Sequence, residues 1–164
     1  MFDLIIERGK LVDGTGANAR YADVAIKGGY ISEIGNLSHE TATKRIDASG
    51  LVVAPGFIDS HCHSDLALFS DPTAECKVCQ GVTTEIVGNC GWSVFPMVKA
   101  TRNTIQEHSK PIFGHPEVDW SWSDLNGYWN ALGEHGTGVN VATLVGHGFV
   151  RNAVLGYEDR QAND

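Results

Sequence analysis

Three apolar runs rich in β-branched residues recur in the chain after its first fifty residues, and their spacing limits the folds open to it. The first is Leu51-Val52-Val53-Ala54, which leads through Pro55-Gly56 into Phe57-Ile58-Asp59. The second is Val82-Thr83-Thr84-Glu85-Ile86-Val87, and the third runs from Val139 to Val145. Apolar residues at consecutive rather than alternate positions belong to strands covered on both faces. Between the first two runs, Asp71 as N-cap, Pro72 at the first helical position and Gly81 just past the end predict one helix. Between the second and third, Ser123 is expected to cap a helix through about Leu132, with Leu125, Tyr128, Trp129 and Leu132 at helical spacing and Gly136 and Gly138 ending it. Strand, helix, strand, helix, strand is the rhythm of a parallel α/β sheet. Residues 92–120, with Pro96, Pro111 and Pro116, interrupt that rhythm and read as a long excursion.

The first fifty residues have a different texture. Leu4-Ile5-Ile6, Ala22 to Ile26 and Tyr30 to Ile34 are short β signals, separated by turn clusters at Asp13-Gly14-Thr15-Gly16 and Lys27-Gly28-Gly29. The second cluster is a two-glycine hairpin signal. Residues 1–53 are therefore expected to form a small antiparallel β module, and residues 54–164 three βα units of a parallel sheet.

Composition closes off several function classes. The 20 acidic and 12 basic residues leave a formal charge of −8, and no window is rich in Lys and Arg, so a phosphate-neutralising surface for nucleic acid is not expected. The N-terminus lacks a basic segment ahead of its short apolar run, and no run approaches a membrane span, which predicts a cytoplasmic protein without membrane contact. Four cysteines in such a chain read as thiols or metal ligands rather than disulfides.

The chemistry-bearing residues gather at the C-terminal ends of the predicted strands. In His61-Cys62-His63, residues two apart in an extended segment face the same way, so two imidazoles can address one divalent ion while Cys62 points away. By spacing alone, a ligand pair and a chance pair of histidines both stay open. Position favours the ligands, because α/β folds place their sites at this end of the strands. Cys90, in Gly88-Asn89-Cys90-Gly91 after the next strand, reads equally as a third, soft ligand or as a structural thiol. His147 in Gly146-His147-Gly148, with Arg151 beyond it, is a candidate for substrate positioning or for support around the ligands. Asp65 could orient a ligand histidine or begin a solvated loop. Cys76 and Cys79 form a C-x-x-C one helical turn apart, without the second half a structural zinc site needs. Trp120, Trp122, Trp129 and Tyr128 read as packing.

Three segments, PGFIDSHCHSD (55–65), QGVTTEIVGNCG (80–91) and VNVATLVGHGFVR (139–151), together resemble the start of the N-acyl-D-amino-acid deacylases, or D-aminoacylases, of the amidohydrolase superfamily. The opening DLIIERGKLVDGTG (3–16) is similar to that family's N-terminal β module, so the likeness covers nearly the whole chain. The resemblance implies the N-terminal part of a (β/α)8 metallohydrolase barrel, incomplete here, preceded by part of a composite β-sandwich. It implies one or two Zn²⁺ ions, with His61 and His63 as first-strand ligands and Cys90 in place of the carboxylated lysine of hydantoinase-like relatives. The activity implied is hydrolysis of N-acyl-D-amino acids to a carboxylate and a D-amino acid. Other readings are a cyclic-amide hydrolase of the dihydroorotase or hydantoinase kind, against which Cys90 argues, and a non-catalytic metal- or partner-binding relative. The family's later histidine ligands and its general acid/base aspartate are expected beyond residue 164, since such a barrel takes about 250 residues. The 164 residues alone are accordingly expected to be inactive and to self-associate through an unfinished barrel.

Overall fold

Gly28 and Gly29, at φ of 61° and 83°, turn the chain between β4 (Asp23–Lys27) and β5 (Tyr30–Gly35), a hairpin that only residues tolerant of positive φ close without strain. The structure is a computed structural model and describes residues 1–114 and 117–163. Two compact units meet in sequence at Pro55 and Gly56.

In the first unit, β1 (Phe2–Glu7) pairs with β4 antiparallel and with β6 (Ala42–Asp47) parallel, giving a sheet of order β5-β4-β1-β6. A smaller sheet sets β2 (Lys10–Leu11) between β3 (Arg20–Tyr21), antiparallel, and β7 (Val52–Val53), parallel. The module is thus mixed, which corrects the antiparallel expectation. Local turn signals reveal only neighbouring antiparallel partners, whereas a parallel pair joins distant segments and leaves no local mark. Ile5, Ala25 and Leu37 form the buried centre of this unit.

The second unit holds a parallel sheet of β8 (Phe57–Asp59), β9 (Val82–Val87) and β10 (Asn140–Thr143), with β9 in the middle. In register, Asp59 faces Glu85 and Thr143 faces Val87. Leu51–Asp59 is not one strand: β7 belongs to the first unit and β8 to the second, because Pro55 donates no ladder hydrogen bond. Nor are the outer strands buried on both faces. Phe57 and Ile58, adjacent and so on opposite faces of β8, are 62% and 64% exposed, so neither face of that strand is covered at these positions among the described residues.

The helices depart further from expectation. Instead of one helix after Asp71 there are two single turns, α1 (Ala67–Ser70) and α2 (Glu75–Val78). Asp71 is the C-cap of the first, and its carboxylate accepts from the Thr73 hydroxyl rather than capping a helix that follows. Residues 92–120 include α3 (Arg102–Phe113), twelve residues long, with Pro111 in its last turn. Proline there removes a single hydrogen bond, so the breaker signal was misleading. Pro116 lies outside the described residues. For α4 (Leu125–His135) the cap is Asp124, whose side chain accepts from Gly127 N, and not Ser123. The last helix, α5 (His147–Leu155), follows β10 after residues 144–146 and ends before Arg160, so residues 160–163 are not helical; Asp164 lies outside the described residues. None of these helices is long and apolar enough to cross a membrane.

Tyr128, Leu132, Trp120, Trp122, Phe69, Phe149 and Val94 belong to the main core, which bears out the tryptophans and Tyr128 as packing residues. Trp122 donates to the Val94 carbonyl and Tyr128 to the Asp65 carbonyl, so each amphipathic ring buries its polar tip against an acceptor.

Candidate metal centre

The segment after β8 and the segment after β9 meet at the C-terminal edge of the sheet. His61 Nε2 and Cys90 Sγ lie 3.0 Å apart. The His61 and His63 rings are 5.8 Å apart between centroids and nearly perpendicular. One donor atom from each of His61, His63 and Cys90 lies within 4.8 Å of the others. The two imidazoles therefore address one point from the same side, while Cys62 is buried and turned away, its thiol donating to the Ile86 carbonyl.

Close backbone packing makes this convergence possible. A Cβ on Gly88, at φ 78°, would stand 2.2 Å from the Leu144 carbonyl oxygen, so only glycine lets the ends of β9 and β10 approach there. Cys90 itself sits at φ 55°, a left-handed conformation that carries a strain of about 1–3 kcal/mol in a residue other than glycine. That strain is concentrated on the one cysteine that faces the histidine pair.

The donor set fits a divalent ion such as zinc. Two imidazoles and a thiolate are the ligand types that Zn²⁺ takes, and His63 Nδ1 is buried without a hydrogen-bond partner among the described residues. A second group, Asp59, Cys62 and Glu85, is equally tight. Lys77, from α2, places its ammonium against the Asp59 carboxylate and 3.2 Å from Glu85 Oε1, so this group already has its cation. The Lys77 hydrogen bond holds the Asp59 carboxyl below the usual carboxylate range. Burial raises the Cys62 thiol, which favours its neutral form.

Asp65 is fully buried, with no side-chain partner for either carboxylate oxygen among the described residues, and burial followed by repulsion from Glu85 pushes it up to about 7. The solvated-loop reading of Asp65 is thereby corrected: Leu66 and Leu68 beside it fill the core and carry it inward. His147 is exposed at the first turn of α5, and the Gly148 N–H donates to the Gly91 carbonyl, tying that helix to the Cys90 loop. His147, Cys90, Trp92, Arg151 and Asn152 share the wall of a cavity of about 390 Å³. Within it the Arg151 guanidinium is engaged by the Gly156 and Glu158 carbonyls. Cys76 and Cys79 are exposed on α2, apart from both groups.

Asp59, Lys77 and Glu85 were not singled out from the sequence, although Glu85 in a β-branched strand run was a usable signal of a buried charge. Asn89 was likewise passed over. Its side-chain amide donates to the Ile86 carbonyl at 2.7 Å and to the Cys62 carbonyl at 3.3 Å.

Comparison with known proteins follows the same outline. Residues 44–163 match the model of the amidohydrolase family. An N-acyl-D-aspartate deacylase of Alcaligenes xylosoxydans xylosoxydans is 41% identical over 99% of this chain and 32% of its own length. A D-aminoacylase of the same organism is 39% identical over 99% of this chain and 33% of its own. The chain thus spans about a third of the length of the curated relatives it matches. Among solved structures, a D-aminoacylase studied for its binuclear metal centre superposes with a TM-score of 0.85 at 37% identity, over 99% of this chain and 33% of that one. An N-acyl-D-glutamate deacylase of Bordetella bronchiseptica, complexed with zinc and a phosphonate mimic of the tetrahedral intermediate, gives 0.79 at 38% identity, over 94% and 31%. With the family model covering most of its length and its relatives similar throughout, the chain belongs to the amidohydrolase family.

Proposed function

We propose that this chain supplies the first ligands of a zinc-dependent deacylase that cleaves the amide bond of N-acyl-D-amino acids, giving a carboxylate and a free D-amino acid. The observation that carries this reading is the convergence of His61, His63 and Cys90 within 4.8 Å at the C-terminal edge of a parallel sheet. The sheet and its helices are read as the opening βα units of a (β/α)8 barrel, with the β module before it, and the activity is proposed for a polypeptide of the relatives' length.

In this reading His61, His63 and Cys90 hold zinc. Zinc held by these residues would supply Lewis-acid chemistry, activating water near neutral pH and polarising the scissile carbonyl. Cys90, exposed and free of a disulfide, would offer the soft sulfur donor that suits such an ion. His147, on the same cavity wall as Cys90, is placed to orient substrate. Asp65, buried beside the rim, supports the segment that carries His63, and Arg151 shapes the cavity from α5.

Zinc titration by calorimetry tests the ligand set. The wild-type protein is expected to bind, and Cys90→Ala to lose more than the ~10–100-fold in affinity that an outer partner of a metal site typically costs. Equal affinity in Cys90→Ala would remove the cysteine from the centre. Release of free amino acid from N-acyl-D- but not N-acyl-L-amino acids by a polypeptide of the relatives' length tests the reaction. Equal turnover of both enantiomers would reject the substrate class.

A further inference from the structure

We infer that Asn89 is a positioning residue that clamps the two ligand-bearing segments together and so sets the distance between the histidine pair and Cys90. The inference rests on the metal-centre reading given under the proposed function. Cys62 stands between His61 and His63, and Asn89 immediately precedes Cys90. The Asn89 amide donates to the Cys62 carbonyl at 3.3 Å and to the Ile86 carbonyl at 2.7 Å. One side chain is thereby fastened to the histidine segment and to the end of β9, while its own backbone leads directly into the cysteine.

The clamp is redundant at one end and unique at the other. The Ile86 carbonyl also accepts from the Cys62 backbone N–H and from the Cys62 thiol, both at 3.4 Å, which is long for the backbone bond. No other donor among the described residues reaches the Cys62 carbonyl. Asn89 is buried, at 8% exposure, so water cannot readily replace its two donors. Shape matters as well as hydrogen bonding. Asp59 Oδ1 accepts the His61 backbone N–H at 3.2 Å and is anchored by Lys77, so the near side of the histidine segment is fixed to β8. Asn89 fixes the far side to β9. Cys90, one residue on, has a strained left-handed backbone that relaxes if the segment is released.

A side chain that only stabilises the fold and one that sets ligand distance make different predictions. Without Asn89, Cys90 is expected to drift from the histidines, so a bound ion loses its sulfur ligand before it loses its nitrogens. Cobalt(II) is a suitable probe, because its thiolate charge-transfer absorption reports cysteine ligation separately from total binding. We expect Asn89→Ala to weaken cobalt binding by about 10–100-fold and to reduce the charge-transfer intensity per bound ion. Ser93→Ala serves as the comparison variant: it removes a more deeply buried hydroxyl, whose hydrogen bonds run to Phe95 and Gly146 and not to His61, Cys62, His63 or Cys90 among the described residues. That variant is expected to lower the unfolding midpoint while leaving the cobalt spectrum unchanged. Should Asn89→Ala fail to fold, Asn89→Asp, which keeps the side-chain shape and gives up the two amide donors, reads the same two quantities. An Asn89 variant with wild-type cobalt affinity and an undiminished thiolate band overturns the clamp. A wild-type protein that binds cobalt with no thiolate band instead overturns the metal-centre reading on which the clamp rests.

Discussion

The two units differ in whether they bury polar groups. In residues 1–55 the ion pairs lie at the surface: Arg8 with Asp47 at 2.7 Å, Arg20 with Asp13 at 2.7 Å and Arg45 with Glu7 at 2.6 Å. Past Gly56 the chain buries Asp65, Glu85, Asn89, Ser93, Ser109 and Asn152. Four of these six lie between residues 65 and 93, around the candidate centre. Buried polar groups are tolerated where they are hydrogen bonded or paired, and natural proteins concentrate them where a site must be held. The first unit is thus a module with an apolar centre and a solvated exterior. The second also has exposed pairs, Lys110 with Glu107 and Arg160 with Glu158, but in addition carries the carboxyls of Asp65 and Glu85 inward.

Lys77→Met should break this contrast most severely. With the ammonium gone, Glu85 stays buried without its cation, and the expected loss is about 3–5 kcal/mol in a urea titration. Adding Glu85→Gln should recover most of it. A loss near that of a surface pair would mean that the Lys77 group belongs with the solvated charges of the first unit.

Ile5→Ala addresses the apolar side of the comparison. Ile5 is fully buried with Ala25 and Leu37, against which Phe2 and Ala42 also pack, and truncation is expected to cost about 2–5 kcal/mol by the same titration. A value well below that range would mean that so small a centre collapses around the gap.

Tyr128→Phe is milder. It deletes the hydrogen bond to the Asp65 carbonyl without opening a cavity, at a cost of about 1 kcal/mol near neutral pH. Burial, and then the charge of Asp65, raises the Tyr128 phenol above its ordinary 10.0. The folded state therefore keeps a proton that the unfolded chain releases. The wild type's stability from this group is complete below pH 10 and is lost as pH rises beyond it. The stability difference between wild type and Tyr128→Phe should accordingly shrink in alkaline solution, and a constant difference would reject the assignment.

Arg20→Ala should have the smallest effect. The Thr15 hydroxyl, followed by the Arg20 guanidinium, lowers the Asp13 carboxyl below its ordinary 3.8. A lowered carboxyl contributes stability that is present above 3.8 and lost as pH falls below it. Because the pair is exposed and screened, the urea midpoint of Arg20→Ala at neutral pH should match the wild type, with any difference vanishing in acid. A clear loss at neutral pH would bring this surface pair closer to the buried network.

Much of the candidate site was legible in the sequence, because its candidate ligands follow short-range rules. His61 and His63 share a face by the alternation of extended backbone, and Cys90 follows a strand that any reading of Val82–Val87 finds. The family motifs carried the rest of that set. The helices were harder. Asp71 and Pro72 made a plausible helix start that the chain uses as a helix end, and Pro111 hid a twelve-residue helix that the aromatic core holds in place.

The sequence by itself determined the strand segments past Gly56, the hairpin at Gly28-Gly29 and the residues able to ligate a metal, since each depends on neighbours a few positions apart. Tertiary structure alone decided that β1 pairs with β6 in parallel, that Asp65 is buried rather than solvated, and that Lys77 neutralises Asp59 and Glu85. It also set Asn89 across two segments whose contacting residues, Cys62 and Asn89, stand 27 positions apart. The physical reason is common to all four: burial, charge compensation and long-range pairing depend on which surfaces meet, and the local sequence pattern does not encode that meeting.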